Sequence, residues 1–493
     1  MKNISLNNST LNQIAKNMQC PSYQRDNLKA GIVHIGVGGF HRSHLAYYIH
    51  QLLQNDLAFD FSICGVGLRE ADRKMYDILK RQDYLYTLMI QHPNGDVKSE
   101  VVGSMTDYIL AVDTPDLLIE KLVSLDTKIV SLTITEGGYN FNPTTGGFNF
   151  ENPDIQYELK NPNSPKSMYG FLTLALRKRR ALNIPPFTIL SCDNIQHNGD
   201  VTRNMFLEFS KKSDVEFASW MEDTVCFPNT MVDRITPVTT AADITYLVDT
   251  YHVEDEWPVT CEPFIQWVVE DHFSMGRPAF EDLGVQFVKD VSPYEKMKIR
   301  LLNAGHSVLG IPGAIHGHLT ILDCMNDVVF KSFMRQFMDM EVTPVLDVVD
   351  GIDLDSYKES LEERFANPNI KDRVSRICSE SSAKLPKFLI PTLLENLRNN
   401  GSIKYATFIL AAWCYYSDKR IDQEGQVIEI IDNKSEELHE ISKQTAQDNL
   451  AFLNIESLFG DLIHNERFTT LYTRLIQEIY STNNIRHLME KML

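Results

Sequence analysis

Short runs of β-branched and other apolar residues alternate with stretches of helical spacing through the first half of the chain. Residues 31–36 (Gly-Ile-Val-His-Ile-Gly) read as a strand, 43–53 as a helix and 61–66 (Phe-Ser-Ile-Cys-Gly-Val) as a second strand. Further strands are expected at 128–134 and 187–192, each bounded by turn residues. This rhythm predicts an α/β fold of Rossmann type, with an expanded, mostly parallel sheet covered by helices on both faces. A weaker strand pattern at 84–90 suits an antiparallel excursion. The pattern changes after Asp290. Ser292-Pro293-Tyr294-Glu295 carries a helix start, with Ser as cap, Pro at the first helical position and Glu three residues after the cap. From there helical spacing dominates, as at 328–340, 355–365, 406–416 and 466–480. Two domains are expected, a sheet domain over 1–290 and a mainly helical domain over 291–493.

Composition narrows the function classes. A net charge of −19 leaves no basic footprint for nucleic acid or anionic lipid. The one short basic run, Arg177-Lys178-Arg179-Arg180, reads as the solvated last turn of a helix. Eight cysteines are scattered without metal-binding or disulfide-framework spacing, so reduced thiols in a cytoplasmic protein are expected. Residues 1–19 are polar and lack the apolar run of a signal peptide, and the apolar stretch 406–416 is too short to span a bilayer.

Candidate chemistry begins with Gly36-Val37-Gly38-Gly39-Phe40-His41, which follows the first expected strand and opens a helix. Glycines at Gly36, Gly38 and Gly39 would let backbone approach a pyrophosphate, with Phe40 beside it. The third glycine of G-x-G-x-x-G is replaced by His41, so a tight structural turn is the competing reading. At the end of the second strand, Asp72 or Glu70 could accept hydrogen bonds from an adenosine ribose, which favours NAD, although Arg69 and Arg73 could greet a phosphate instead.

A second constellation, K-x4-N-x2-H, joins Lys298, Asn303 and His306. On an α-helix Asn303 and His306 lie one turn apart, with Lys298 two turns below His306, all on one broad face. Alcohol oxidation needs a base while hydride departs, and a lysine can serve once burial or a nearby cation lowers its pKa from about 10.4. Asn303 would donate to the developing alkoxide and His306 would hold or orient the substrate oxygen. Asn194, just past a strand end, could donate a second amide or simply form an Asx turn. Glu295 is either a capping residue or a proton relay one turn before Lys298. No set of metal ligands surrounds these groups, and Gly310, Pro312 and Gly317 mark His316 and His318 as a helix end rather than a zinc site.

These motifs, with Thr133-Ile-Thr-Glu-Gly-Gly-Tyr139, Ser191-Cys-Asp-Asn194, Met231-Val-Asp-Arg-Ile-Thr-Pro237, Arg376-Ile-Cys378 and Lys384-Leu-Pro-Lys-Phe388, resemble the long-chain mannitol dehydrogenase family over nearly the whole chain. The resemblance implies a zinc-independent, NAD-dependent monomer that interconverts D-mannitol and D-fructose. It implies Lys298 as general base, Asn194 and Asn303 as oxyanion hole, His306 assisting, Glu295 gating proton exchange, and Asp233, Arg376 and Lys384 binding substrate hydroxyls. Ala304-Gly305 departs locally from relatives that carry Gly-Ser or Gly-Gly. A sister activity stays open. Mannonate, fructuronate or tagaturonate carries a carboxylate that Arg376 or Lys384 could clamp. A dinucleotide-binding protein without catalysis would leave the Lys-Asn-His set idle.

Overall fold

The computed structural model describes residues 3–142, 146–370, 372–482 and 484–493. The chain divides into two compact units, residues 1–92 with 96–292, and residues 93–95 with 293–493.

The first unit is built on five parallel strands: β1 (Ile32–Ile35), β2 (Ile63–Gly67), β3 (Met105–Leu110), β4 (Ile129–Leu132) and β5 (Thr188–Ser191). Their order is β3-β2-β1-β4-β5. Alternate residues feed opposite cores. Val33, Ile35, Val66, Val130, Leu132 and Ile189 enter one hydrophobic cluster. Ile32, Ile63, Ile129 and Leu190 enter the other. Burial on both faces is why these strands read as continuous apolar runs rather than as a polar–apolar alternation. The chain leaves β1 toward β2 and β3 on one side, then returns to place β4 and β5 on the other. That reversal puts a crevice beside the carboxyl end of β1, where α/β sheets take ligands.

The expected expansion takes the form of smaller sheets. Tyr86–Gln91 runs antiparallel to Val97–Val102 and parallel to Val259–Cys261, so the weak pattern near residue 84 is indeed an antiparallel excursion. Thr230–Asp233 runs antiparallel to Gln266–Glu270, which is parallel to Gln286–Val288. The helix expected at 43–53 is two helices, Gly39–Ser43 and Leu45–Gln54. They break at His44 (φ −116°, ψ −92°), whose Nε2 lies 3.1 Å from the Gln266 carbonyl.

The second unit is helical among its described residues. Val328–Phe337, Leu354–Phe365, Lys404–Lys419 and Glu466–Ser481 lie close to their expected positions. The apolar stretch at 406–416 is the buried body of one of them, and no helix among the described residues is long and apolar enough to cross a membrane. All eight cysteines are free, and all but Cys20 are buried.

One reading needs correction. Helix Met168–Ala181 does end in the basic run, but Arg179 is not solvated. It is fully buried and donates from Nη1 to the carbonyls of Leu122, Ser124 and Thr127 and from Nε to that of Pro185. Three of these carbonyls come from the connection into β4, so the guanidinium ties helix to sheet. Burial holds its pKa down at about 10. Charge pattern alone hid this, because a cation at a helix terminus looks the same whether it faces water or loop carbonyls. Arg179→Met should strand these acceptors and lower stability by about 3 kcal/mol, read as a shift in the urea midpoint. A change within about 0.5 kcal/mol would mean that the bonds are replaced by water at no net cost.

Candidate active site

The glycine turn follows β1 directly. Gly36 has φ +97°, and a Cβ there would collide with the Thr133 carbonyl, so only glycine fits. Thr133 Oγ1 donates to the Gly36 carbonyl at 2.7 Å and fixes the turn from the end of β4. Gly38 and Gly39 have room for a side chain, so their value is open backbone, the cradle a pyrophosphate requires. Phe40 stacks on His44 with ring centroids 4.9 Å apart.

His41 fills the third glycine's place by a different device. That glycine normally permits close packing of helix on strand. Here the His41 ring stacks on His34 of β1 at 3.4 Å with a 7° interplanar angle, and two flat rings achieve the close approach. Burial lowers the pKa of both imidazoles, that of His34 to about 3, so the pair packs uncharged.

At the end of β2, Glu70 and Asp72 have separated roles. Glu70 is exposed and paired with Arg73, which also reaches Asp113 at 2.7 Å. Asp72 accepts the Arg69 N–H at 2.9 Å, and a Cβ on Gly67 would stand 2.7 Å from its own Cβ. The bare Gly67 therefore seats Asp72 against the strand end. Arg73 has both of its nearby carboxylates already, so it is poorly placed to hold a phosphate.

Asn194 is exposed in the turn after β5, and the residue before it explains its placement. Asp193 is buried and accepts the N–H groups of Ile134 and Thr135 at 3.0 and 2.9 Å and the Tyr139 hydroxyl at 2.7 Å. Burial raises its pKa and these donors oppose the rise. Sequence reasoning quoted Tyr139 and Asp193 inside motifs without assigning them this work. Asn198 extends the brace, donating to the carbonyls of Asp193 and Thr230 at 3.0 and 2.9 Å. Asp233, buried, ends the strand that begins at Thr230. The turn bearing Asn194 and the strand bearing Asp233 are thus linked within the first unit.

In the second unit, Glu295, Lys298, Asn303 and His306 lie on one continuous helical run: Ser292–Lys298, Ile299–Asn303 and Ala304–His316. The helix starts at Ser292 itself, one position earlier than expected, and Asp290 accepts the Ser292 N–H at 2.9 Å. The middle segment is a π turn, with the Ala304 N–H bonded to the Ile299 carbonyl five residues back.

This changes the face calculation. On an unbroken α-helix, Lys298 and Asn303 would lie about 140° apart, and the four groups would spread over that arc. A π turn closes in about 4.4 residues, so the same five steps leave about 50° and bring His306 to within about 10° of Lys298. All four groups then share an arc of about 70°. The α-helical reading placed these four residues on a face that was too wide.

The sequence around the turn supports it. Arg300 makes a two-pronged ion pair with Glu395 at 2.8 and 2.7 Å, and Lys296 reaches the same carboxylate at 3.4 Å. A Cβ on Gly305 would stand 2.8 Å from Met338 Cε, where a second π turn, Met338–Val342, begins. Lys298, Glu295 and His306 are each less than a tenth exposed. His306 stacks on Phe365 at 4.0 Å, a support that the sequence did not reveal because Phe365 reads as an ordinary helix-end core residue.

Arg376 and Lys384 are adjacent in the second unit. Lys384 Nζ donates to the Ile377 carbonyl at 3.0 Å, and burial lowers its pKa. Arg376 is bound through two nitrogens to Asp372, its Nε at 2.6 Å from Oδ1, while its side chain stays 64% exposed.

Residues 30–282 match the mannitol dehydrogenase Rossmann domain, and residues 290–480 match the mannitol dehydrogenase C-terminal domain. The chain is 44% identical over 490 residues to mannitol 2-dehydrogenase of Neosartorya fischeri, covering 97% of each. It superposes on Pseudomonas fluorescens mannitol 2-dehydrogenase, solved as a ternary complex with NAD and D-mannitol, with a TM-score of 0.88, 42% identity and 99% coverage of each chain. A substrate-free D-sorbitol dehydrogenase matches with a TM-score of 0.90 at 35% identity, over 97% of this chain and 98% of that one. With both of its units matched in order, the chain belongs to the mannitol dehydrogenase family.

Proposed function

We propose that this chain is an NAD-dependent mannitol 2-dehydrogenase that interconverts D-mannitol and D-fructose without a catalytic metal. The observation that carries this reading is full-length similarity to an enzyme whose structure holds NAD and D-mannitol. NAD fits the residues present. Gly36 admits no side chain, Gly38 and Gly39 present bare backbone, and Asp72 stands at the end of β2 for the ribose hydroxyls. When bound, NAD supplies the acceptor for the hydride.

The chain's own residues handle the proton and the oxygen. Lys298, less than a tenth exposed, takes the hydroxyl proton on Nζ. Asn303 and Asn194 donate amide N–H to the developing alkoxide, and His306, backed by Phe365, orients the same oxygen. Glu295, one helical turn before Lys298, passes the proton outward. Asp233, Arg376 and Lys384 bind the remaining hydroxyls. The pairing of Arg376 with Asp372 favours a polyol over a hexuronate, since a guanidinium already bound to one carboxylate is weakened as a clamp for another. Among the described residues, the group of His, Cys, Asp and Glu close enough to share an ion is His316, His318 and Asp327, at the other end of Ala304–His316 from His306. We place the protein in the cytoplasm as a monomer, a placement supported by its unpaired thiols and by the family resemblance.

Paired assays test the substrate. The kcat/KM for mannitol with NAD should exceed that for mannonate by about 100-fold or more, and turnover of mannonate alone would overturn the reading. Lys298→Ala should keep NAD affinity and lose about 10²–10⁴ in kcat, with partial recovery at high pH or with added small amines. Wild-type turnover in that variant would assign the proton to another base. The π turn has its own test. Deleting Leu302 should close the wide turn to an α-helical one, place Lys298 four residues and about 40° from Asn303, leave the circular dichroism spectrum helical and keep turnover within about tenfold of the unaltered chain. Loss of nearly all turnover with the helical spectrum intact would show that Leu302 is not a surplus residue of this turn.

A further inference from the structure

At the far end of the same helix a second group of polar side chains converges. His316 is the last residue of Ala304–His316, and Gly317, at φ +101°, turns the chain back. His318 therefore returns against His316, with ring centroids 4.8 Å apart, and both rings rest on Phe330. Asp327 caps Val328–Phe337, its Oδ1 accepting the Val329 N–H at 2.9 Å. One ligand atom from each of His316, His318 and Asp327 lies within 4.8 Å of the others, the one such group of three or more found among the described residues.

Two independent observations point to a ligand. His318 Nε2 is buried without a hydrogen-bond partner. It lies 3.9 Å from Asp327 Oδ2, too far for a hydrogen bond. Two atoms bound tetrahedrally to one zinc ion sit about 3.4 Å apart, so a small side-chain rotation closes the set. An open surface depression lies beside it, lined by Gly317, His318, Asp323, Asn326, Asp327 and Arg486 together with Leu319 and Val328. That space leaves room for water as a further ligand. Arg486 already holds Asp327 Oδ2 at 2.7 Å, so an ion must share this carboxylate or displace the guanidinium.

We propose that His316, His318 and Asp327 form a non-catalytic site for one divalent late first-row transition metal ion, best matched by Zn²⁺. A set of two imidazoles and one carboxylate suits this class of ion and disfavours Mg²⁺ or Ca²⁺. The site lies about 15 Å along the helix from His306, so the ion takes no part in the oxidation. Its effect is a brace between the end of the Lys-Asn-His helix and the start of Val328–Phe337.

The test uses full-length protein stripped of metal and titrated with ZnCl₂ by calorimetry. We expect one Zn²⁺ per chain and a rise in the thermal unfolding midpoint on loading. Co²⁺ in place of Zn²⁺ should give visible d–d absorption that Zn²⁺ abolishes. His316→Ala with His318→Ala should weaken binding about 100-fold or more. Asp327→Asn, which keeps a capping side chain, should weaken it about tenfold. Both variants should retain mannitol oxidation, which also verifies that they fold. Failure of the wild type to retain Zn²⁺ in molar excess, or binding unchanged by the double substitution, overturns the site.

Discussion

The π turn at Ile299–Asn303 is the constraint on which the proposed chemistry of the second unit depends. A proton acceptor and an alkoxide donor can serve one oxygen only from nearly the same azimuth of the helix. Ordinary α-helical spacing separates Lys298 from Asn303 by more than a right angle. One wide turn removes most of that separation, and Lys298 and Ala304 on either side of it keep regular right-handed backbone angles. The wide turn is a poorer hydrogen-bonding geometry, and tertiary contacts offset it. The Arg300–Glu395 pair fixes the outer side of the turn, and the close approach of Met338 to Gly305 fixes the following one.

In the first unit the same problem, holding exposed backbone and amide groups still, is solved with buried hydrogen bonds. Asp193 collects three donors below the turn that presents Asn194, and Thr133 holds the carbonyl of Gly36. Each is a group whose removal would leave partners unpaired in a dry environment, at a cost of about 1–3 kcal/mol each. The rigidity therefore comes from the strand ends, and the turns that present Gly36 and Asn194 are short extensions of them. This is the usual economy of a parallel sheet, whose strands are too buried to bear chemistry themselves.

The strands of the central sheet were legible because burial on both faces leaves an unmistakable apolar run, as at Ile32–Ile35 and Ile129–Leu132. The long helices were legible for the complementary reason, a stripe of apolar spacing. What stayed hidden was long-range. The role of Arg179 depends on carbonyls more than fifty residues away in sequence, and a solvated helix end has the same local composition. His41 in place of glycine looked like a weakened nucleotide motif, because nothing local announces that His34 will stack beneath it. The residues proposed to react stand out by type and spacing, but the α-helical period imposed on them was wrong by one residue. Periodicity assumes a uniform helix, and a single inserted residue leaves no mark on composition.

That inserted residue also explains why the run from Ser292 to His316 behaves as two helices joined rigidly. Upstream of the π turn, Lys296 reaches Asp347 and Glu395. Downstream, Gly310 and Gly313 admit Cys378 and Cys324 to contact distances at which a Cβ would clash. Each half is thus registered against different neighbours, and the wide turn absorbs the mismatch between the two registers. A uniform α-helix could satisfy one set of neighbours or the other, but meeting both would require rotating one half by about 100°, and the π turn supplies most of that rotation. The packing that fixes the fold of this unit and the azimuth that aligns its polar groups are therefore the same geometric requirement, met by one residue.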